Sequence, residues 1–272
     1  MIKFSVMTFM YSGFINAGKL THRQLLSAIA ESGGKGVESF HQDFLDTPEL
    51  ISEYRAVMDE LGLTMAAVDV INNLVYNSEE TKTKARDGLR RALDVCLELG
   101  TGIAHVAGNS TVEGVTPADG RKMIAELLLE QADFADKNNI VLAIEDFDPS
   151  PDLICSKEDC MEILKLTGNR VKLVFDTGNF YAVGEQADKN LPDCYEQIVL
   201  CHFKDFVPHG DTPHGRRGTH LGQGVIPNRQ VAAMLKERGY DAWISLESYP
   251  QADAGALETI PREMETLKSW FA

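Results

Sequence analysis

A chain of 272 residues, 44% hydrophobic and 25% charged, has the size of one α/β barrel and the composition to bury an ordinary core. Its formal net charge of -15, with seven histidines, repels phosphate backbones, so no nucleic-acid partner is expected. No apolar run reaches the roughly 20 residues of a membrane helix, which argues against a membrane partner. The five cysteines (Cys96, Cys155, Cys160, Cys194, Cys201) form no CxxC pair and read as reduced, buried thiols of a cytoplasmic protein.

In chain order, the apolar start MIKFSVMTFMYSGF has one lysine and no clear small-residue cleavage site, so it reads as a first strand over Ile2 to Met7. A loop through Gly13 and Gly18 follows. Thr21 is placed to cap a helix reaching Ser32, which Gly33, Gly34 and Gly36 end. Strand two, GVESF, brings Glu38 and His41 to its end. A helix after Pro48 carries Leu50, Ile51, Tyr54, Val57, Met58 and Leu61 on one face, closed by Gly62. Strand three, LTMAAVDV, delivers Asp69, then Asn72 and Asn73. A helix from Ser78 to Leu99 leads to strand four, GIAHVAG, with His105 near its end. Thr116-Pro117 fits an N-cap followed by proline at the first helical position, with the helix reaching about Lys137.

The second half repeats one pattern. IVLAI runs into Glu145, VKLVF into Asp176, IVLC into His202 and AWISL into Glu247. Short β-branched-rich runs between amphipathic stretches read as buried parallel strands. The intervening helices are predicted near Ser156–Leu166, Leu191–Glu196 and Asn228–Arg238, with a last one over Ala256–Phe271. Eight strands alternating with eight helices, without a linker, predict a single (β/α)8 TIM barrel over residues 1–272.

A ligand-type residue at the C-terminal end of four successive strands is what such a barrel needs to build a site at its top face. Three carboxylates and one imidazole are mostly hard oxygen donors. They suit one divalent ion, Mn2+ first, with Mg2+ or Co2+ as alternatives, better than a structural zinc. Glu145 and Glu247, from strands five and eight, are the expected acid–base pair, able to remove and return a proton on opposite faces of a bound ketose. Taken singly, each carboxylate could equally be a helix cap or an ion-pair partner; the ordered set favours the metal site.

Further substrate contacts are expected from the same face. Lys204, two residues beyond His202, points into it by strand alternation and would steady an oxyanion or a phosphate, or else pair with Asp205 or Asp176. His105, Glu38, His41, Asp69 and Asn72 are candidates for sugar hydroxyls. The stretch from Val207 to Gly224 is long for a barrel connection and predicts a binding loop in which Arg216 or Arg217 clamps a phosphate or carboxylate. His209, His214 and His220 read as surface residues of that loop. Phe14 and Phe180 are candidate hydrophobic walls, and Trp243 a core residue. Leu267, Trp270 and Phe271 either pack on the barrel or serve a homo-oligomer.

The segments AIEDFD, LVFDTGNF, LCHFKDF and ISLESY, with HLGQGVIPNRQVAAMLKERGYDAWISLE, resemble the sugar phosphate isomerase/epimerase superfamily of xylose-isomerase-like barrels. GVESF and HVAG are weaker echoes. The resemblance spans nearly the whole chain and is most specific after Leu142. It implies one divalent metal on Glu145, Asp176, His202 and Glu247. It also implies proton transfer by Glu145 and Glu247 through a metal-stabilised enediolate in a carbohydrate substrate. Ketohexose 3-epimerases carry histidine where this chain has Asn179, and an arginine soon after the strand-seven histidine where it has HFKDFVPHG, so that member is not favoured. The hydroxypyruvate isomerase ending is also absent. Dehydratases and lyases acting on keto-sugars, keto-inositols or 3-keto glycosides share the site and are the alternative. An endonuclease IV-like nuclease needs more metal ligands and a basic groove, and a non-catalytic sugar-binding barrel would not keep the ligand set.

Overall fold

The computed structural model describes residues 2–210, 212, 215–250 and 255–272. The first strand, β1 (Lys3–Met7), runs into a 3-10 turn (Thr8–Tyr11) and a short helix, α1 (Ser12–Asn16), where a plain loop was expected. Helix α2 (His22–Glu31) opens as predicted: the Thr21 hydroxyl accepts from Gln24 N, and the Gln24 side chain accepts from Thr21 N. Strand β2 (Gly36–Phe40) is followed at once by α3 (His41–Asp46), so His41 starts a helix instead of ending a strand. Helix α4 (Glu49–Leu61) buries Leu50, Tyr54, Val57 and Met58, and ends at Gly62, whose φ of 66° a side chain would oppose.

Next come β3 (Thr64–Ile71), α5 (Glu79–Leu99) and β4 (Ile103–Ala107). Thr116 caps α6 (Pro117–Lys137) by accepting from Asp119 N, with Pro117 at the first helical position. The chain continues through β5 (Val141–Glu145), α7 (Pro151–Ile154), α8 (Lys157–Leu166), β6 (Lys172–Asp176) and α9 (Ala187–Cys194) to β7 (Ile198–Phe203). The stretch predicted as an open loop instead holds an antiparallel hairpin, β8 (Asp205–Pro208) with β9 (Arg216–Thr219). Helix α10 (Asn228–Glu237), strand β10 (Trp243–Leu246) and α11 (Ala256–Phe271) complete the chain.

Eight strands close in the order β1-β10-β7-β6-β5-β4-β3-β2, every neighbouring pair parallel. With helices between the strands, this is the (β/α)8 barrel the sequence predicts. The four strands that end in or lead into Glu145, Asp176, His202 and Glu247, namely β5, β6, β7 and β10, are consecutive around the ring. The amphipathic helices bury their apolar faces against the strands' outward side chains, such as Val6, Val37, Ile144, Phe175 and Ile244. Ala67, Ala143, Val174 and Leu200 form a separate buried cluster, apart from that helix-facing core. Two residues further along, the same strands carry Asp69, Glu145, Asp176 and His202. Period-two alternation therefore stacks a charged layer directly above an apolar one.

Leu267 is fully buried, and Trp270 and Phe271 pack their rings 6.3 and 6.0 Å from Phe203, so this end of α11 packs on the outer face of β7. Trp243 is only partly buried, with the Lys3 ammonium 4.4 Å from its ring centre. All five cysteines are buried and unbridged. Among the described residues, no helix is long and apolar enough to cross a membrane.

Candidate metal and acid–base centre

The four sequence-predicted ligands converge. One donor atom from each of Glu145, Asp176, His202 and Glu247 lies within 4.8 Å of the others, and all four residues are buried. Strand register explains this: Asp176 pairs with His202, His202 with Ser245, and Glu247 N donates to Phe203 O at 3.0 Å. The His202 ring is held at both ends, with Nδ1 2.8 Å from Glu145 Oε1 and Nε2 2.9 Å from Glu38 Oε2. Nδ1 also lies 3.7 Å from Asp176 Oδ2 and from Glu247 Oε2. Glu38 thereby fixes Nε2–H and presents Nδ1 to the three carboxylates, an outer partner's usual service to a metal-binding imidazole.

The donors fit a hard divalent cation. Asp176 Oδ2 is buried without a hydrogen-bond partner. The charge that compensates it is the Lys204 ammonium, 3.1 Å from Asp176 Oδ2 and 2.8 Å from Glu247 Oε2. The other Asp176 oxygen accepts from Gly178 N at 2.7 Å and Asn179 N at 2.8 Å, which holds Oδ2 toward the cluster. Gly178 is required there, because a Cβ would sit 2.7 Å from Lys204 Cγ.

The environment separates the two catalytic candidates. Burial alone would raise Glu145, but His105 and His202 beside it hold its carboxyl well below the usual range. Burial pushes Glu247 up to about 8, against the pull of Lys204 and with the help of Asp176. Burial opposes charge on His202, yet Glu38 and Glu145 raise it well above an ordinary imidazole. His105 is likewise taken up to about 9, its desolvation outweighed by Glu145 and Asp69. Its Nδ1 lies 2.9 Å from Asp69 Oδ1, and its Nε2 3.5 Å from Glu145 Oε2.

Of the remaining candidates, Asp69, His105, Asn179 and Lys204 line the same cavity as Glu145 and Glu247. Asn179 Oδ1 is buried without a partner there. Glu38 stands behind His202 and not in the cavity wall. His41 Nδ1 lies 3.3 Å from Asp69 O, and the Asn72 amide donates to Ala85 O at 2.7 Å, so neither is turned to the cavity. Arg216 is buried, pairs with Asp148 and lies over the Phe206 ring; Arg217, its neighbour on the hairpin, is exposed. His220 is buried, with Nδ1 2.7 Å from Glu263 Oε1, and is no surface residue of a mobile loop. His214 lies outside the described residues. Phe180 is buried against Phe175, and Phe14 packs on the outer core, so neither forms a wall of the cavity.

Sequence reading missed Asp146, Asp148, Phe9, Phe40, Phe147 and Tyr249. Asp146 accepts from Asp176 N at 2.8 Å and ties β5 to β6. The AIEDFD run carried a signal for it, since three acids in four residues at a strand end exceed what one ligand needs. Asp205 is an anchor of the loop: its carboxylate accepts from the backbone N–H groups of Phe206, Gly222, Gly224 and Ile226 at 2.9–3.1 Å. A Cβ at Gly224 would collide with that carboxylate.

The barrel fold is shared with known structures. The chain superposes on the 3-keto-D-glucoside 4-epimerase of E. coli with a TM-score of 0.78 at 15% identity, covering 99% of this chain and 100% of that one. A probable 3-DHS dehydratase from Bacillus anthracis gives 0.77 at 14% identity, covering 98% of each chain. The IolI protein, solved with a bound zinc atom, gives 0.79 at 19% identity, covering 98% of this chain and 96% of that one. At such identities the likeness is one of fold. No curated protein is matched significantly by the sequence. The model of the xylose isomerase-like TIM barrel family, however, matches residues 26–270. With nine-tenths of its length so matched, the chain belongs to the xylose isomerase-like TIM barrel family.

Proposed function

We propose that the protein is a divalent-metal-dependent isomerase or epimerase acting on a carbohydrate by proton transfer through an enediolate. The observation that carries this is the buried group Glu145, Asp176, His202 and Glu247, with its two glutamates at opposite ends of the β5-β6-β7-β10 arc. These four residues would hold one ion, by donor hardness Mn2+ before Mg2+ or Co2+. When bound, the ion supplies Lewis acidity that makes a C–H beside a carbonyl easier to deprotonate.

The side chains do the rest. Glu145, kept ionised by its histidines, takes the proton from carbon. Glu247, at the other end of the arc, is placed to return a proton to the enediolate. Return to the opposite face of the same carbon inverts it; return to the neighbouring carbon isomerises the sugar. Lys204, 2.8 Å from Glu247, faces the oxyanion that forms when the proton leaves. His105, oriented by Asp69, and the unpartnered Asn179 Oδ1 are suited to substrate hydroxyls. The buried free thiols support a reducing, cytoplasmic setting.

A dehydratase or lyase is the second reading, supported by the ammonium beside Glu247. Glu145 takes the C–H proton, the bond to a β-oxygen breaks, and the leaving oxygen accepts a proton from Glu247 or Lys204. Incubation of metal-loaded protein with ketoses, ketose phosphates, inososes and 3-keto glycosides in D2O, followed by NMR, tests both. Deuterium entering next to the carbonyl, lost in Glu145→Gln and Glu247→Gln, is expected, and the product separates epimer, isomer and elimination. If no panel member exchanges and no metal is retained, the reading fails.

A further inference from the structure

Above the carboxylates lies a cavity of about 330 Å3 whose floor and rim differ in chemistry. The floor is the polar cluster. The rim is apolar, built chiefly by Phe9, Phe40, Ile71, Ala107, Phe147 and Tyr249. Phe9 and Ile71 remain 43% and 41% exposed, and both line this one cavity. The rings of Phe9 and Phe40 stack with centroids 4.2 Å apart and planes 26° from parallel, so Phe40 backs the exposed Phe9 ring and leaves one aromatic face as a platform at the mouth. Wetted apolar surface is unfavourable by about 25 cal/mol per Å2, so a platform kept at a catalytic mouth points to something that covers it.

The charges around the cavity argue against a phosphate as the occupant. Asp69, Glu145, Asp148 and Glu247 all line it. Among the described residues, each cation close by is already engaged with a carboxylate: Lys204 with Asp176 and Glu247, His105 with Asp69, and Arg216 with Asp148. A phosphate dianion at the mouth would have to break the Arg216–Asp148 or the His105–Asp69 pair, neither of which an ion on the floor relieves, and then face the carboxylate it displaced. Sugar C–H faces and aromatic rings meet no such opposition on the Phe9–Phe40 platform.

We propose that this pocket takes an uncharged sugar bearing an apolar substituent about the size of a second ring. The reacting sugar sits on the carboxylate floor, and its substituent lies on the Phe9–Phe40–Ile71 rim. The placement of the sugar rests on the enediolate reading of the floor; the choice of substituent rests on the rim alone.

Calorimetry on the Mn2+-loaded full chain tests this with methyl and phenyl pyranosides of glucose, galactose and mannose, both anomers, beside D-glucose, D-glucose 6-phosphate and inorganic phosphate. The phenyl glycoside of at least one sugar should bind about tenfold more tightly than its methyl counterpart. Phe9→Ala should bring the two together. Ile71→Ala, also at an exposed position, provides a second variant that should narrow the gap, and an unchanged melting temperature shows that both are folded. Glucose 6-phosphate should bind no more tightly than glucose. The proposal is overturned if phosphate or glucose 6-phosphate binds best, if phenyl and methyl glycosides bind alike or not at all, or if both variants keep the preference. Deuterium exchange reports separately on the enediolate reading. A phenyl preference without exchange removes the chemistry and leaves the rim assignment standing, whereas exchange with a phosphate preference does the reverse.

Discussion

The two sides of the barrel mouth are built on different principles. On one side, β5, β6, β7 and β10 present Glu145, Asp176, His202 and Glu247 from strand ends, at positions fixed by the ladder. On the other, Phe40 and Ile71 end β2 and β3 in register with Asp69 and Ala107, but the rim is completed by Phe9 and Phe147, which stand beyond the ends of β1 and β5 where no strand pairing holds them. The difference matters for function. Chemistry that moves a proton needs donors fixed to within tenths of an ångström, and strands supply that. Selection among substrates tolerates, and uses, the freedom of loops.

The sharpest way to break this comparison is at the rigid side. Glu145→Gln keeps the side chain's size and should lower proton exchange by about 10²–10⁴-fold, read by NMR in D2O. Retained exchange would move the base elsewhere. The next largest effect is on stability. Lys204→Met leaves the buried Asp176 and Glu247 carboxylates without their ammonium, and the metal-free protein should lose about 3 kcal/mol. Calorimetric melting should show a smaller loss once Mn2+ is added, since the ion then supplies the missing positive charge. An equal loss with and without metal would mean that ion and lysine do not share those carboxylates.

Metal binding itself provides the third test. Glu38→Gln should weaken Mn2+ binding by about 10–100-fold, because His202 Nε2 loses its anionic partner. The pH dependence has a definite sign. His202 lies well above the usual imidazole range and Glu247 near 8, so the metal-free protein carries protons on both at pH 7. Binding must displace protons, and affinity should rise with pH by about tenfold per unit for each proton released, levelling off above those values. Titrations in two buffers of different ionisation enthalpy count the protons; a count of zero would remove these residues from the ligand set.

Much of this was legible in the sequence, and the residues show why. Four β-branched runs ending in Glu, Asp, His and Glu, with Leu200, His202 and Lys204 in period-two alternation, announce both the barrel and the convergence of those four side chains, because local periodicity and strand ends coincide. Helix α11 has the predicted bounds, Ala256–Phe271. Glu38 was legible as inward-facing but not as the partner of His202, a contact that exists only once the barrel closes across 164 residues of sequence. The hairpin was hidden because its second strand, RRGT, has no apolar alternation; four backbone N–H groups gathered by Asp205 hold the chain around it. Phe9 sits in a 3-10 turn, where side-chain direction cannot be counted out from the strand before it.

That hairpin carries the smallest expected effects, and it separates the two arginines that sequence alone could not. Adjacent residues on a strand point to opposite faces. Arg216 faces inward, 7% exposed, paired with Asp148 and with its guanidinium carbon 4.9 Å from the Phe206 ring centre. Arg217 faces solvent. Arg217→Ala should change stability by no more than about 0.5 kcal/mol and leave exchange unaltered. Arg216→Ala frees the Asp148 carboxylate at the cavity mouth and should destabilise by about 1 kcal/mol, with a further loss of affinity for any anionic ligand. Melting curves and exchange rates on both variants decide the matter. If Arg217→Ala proves the more damaging, the outer face of the hairpin, and not the cavity side, is the surface that substrate or a partner touches.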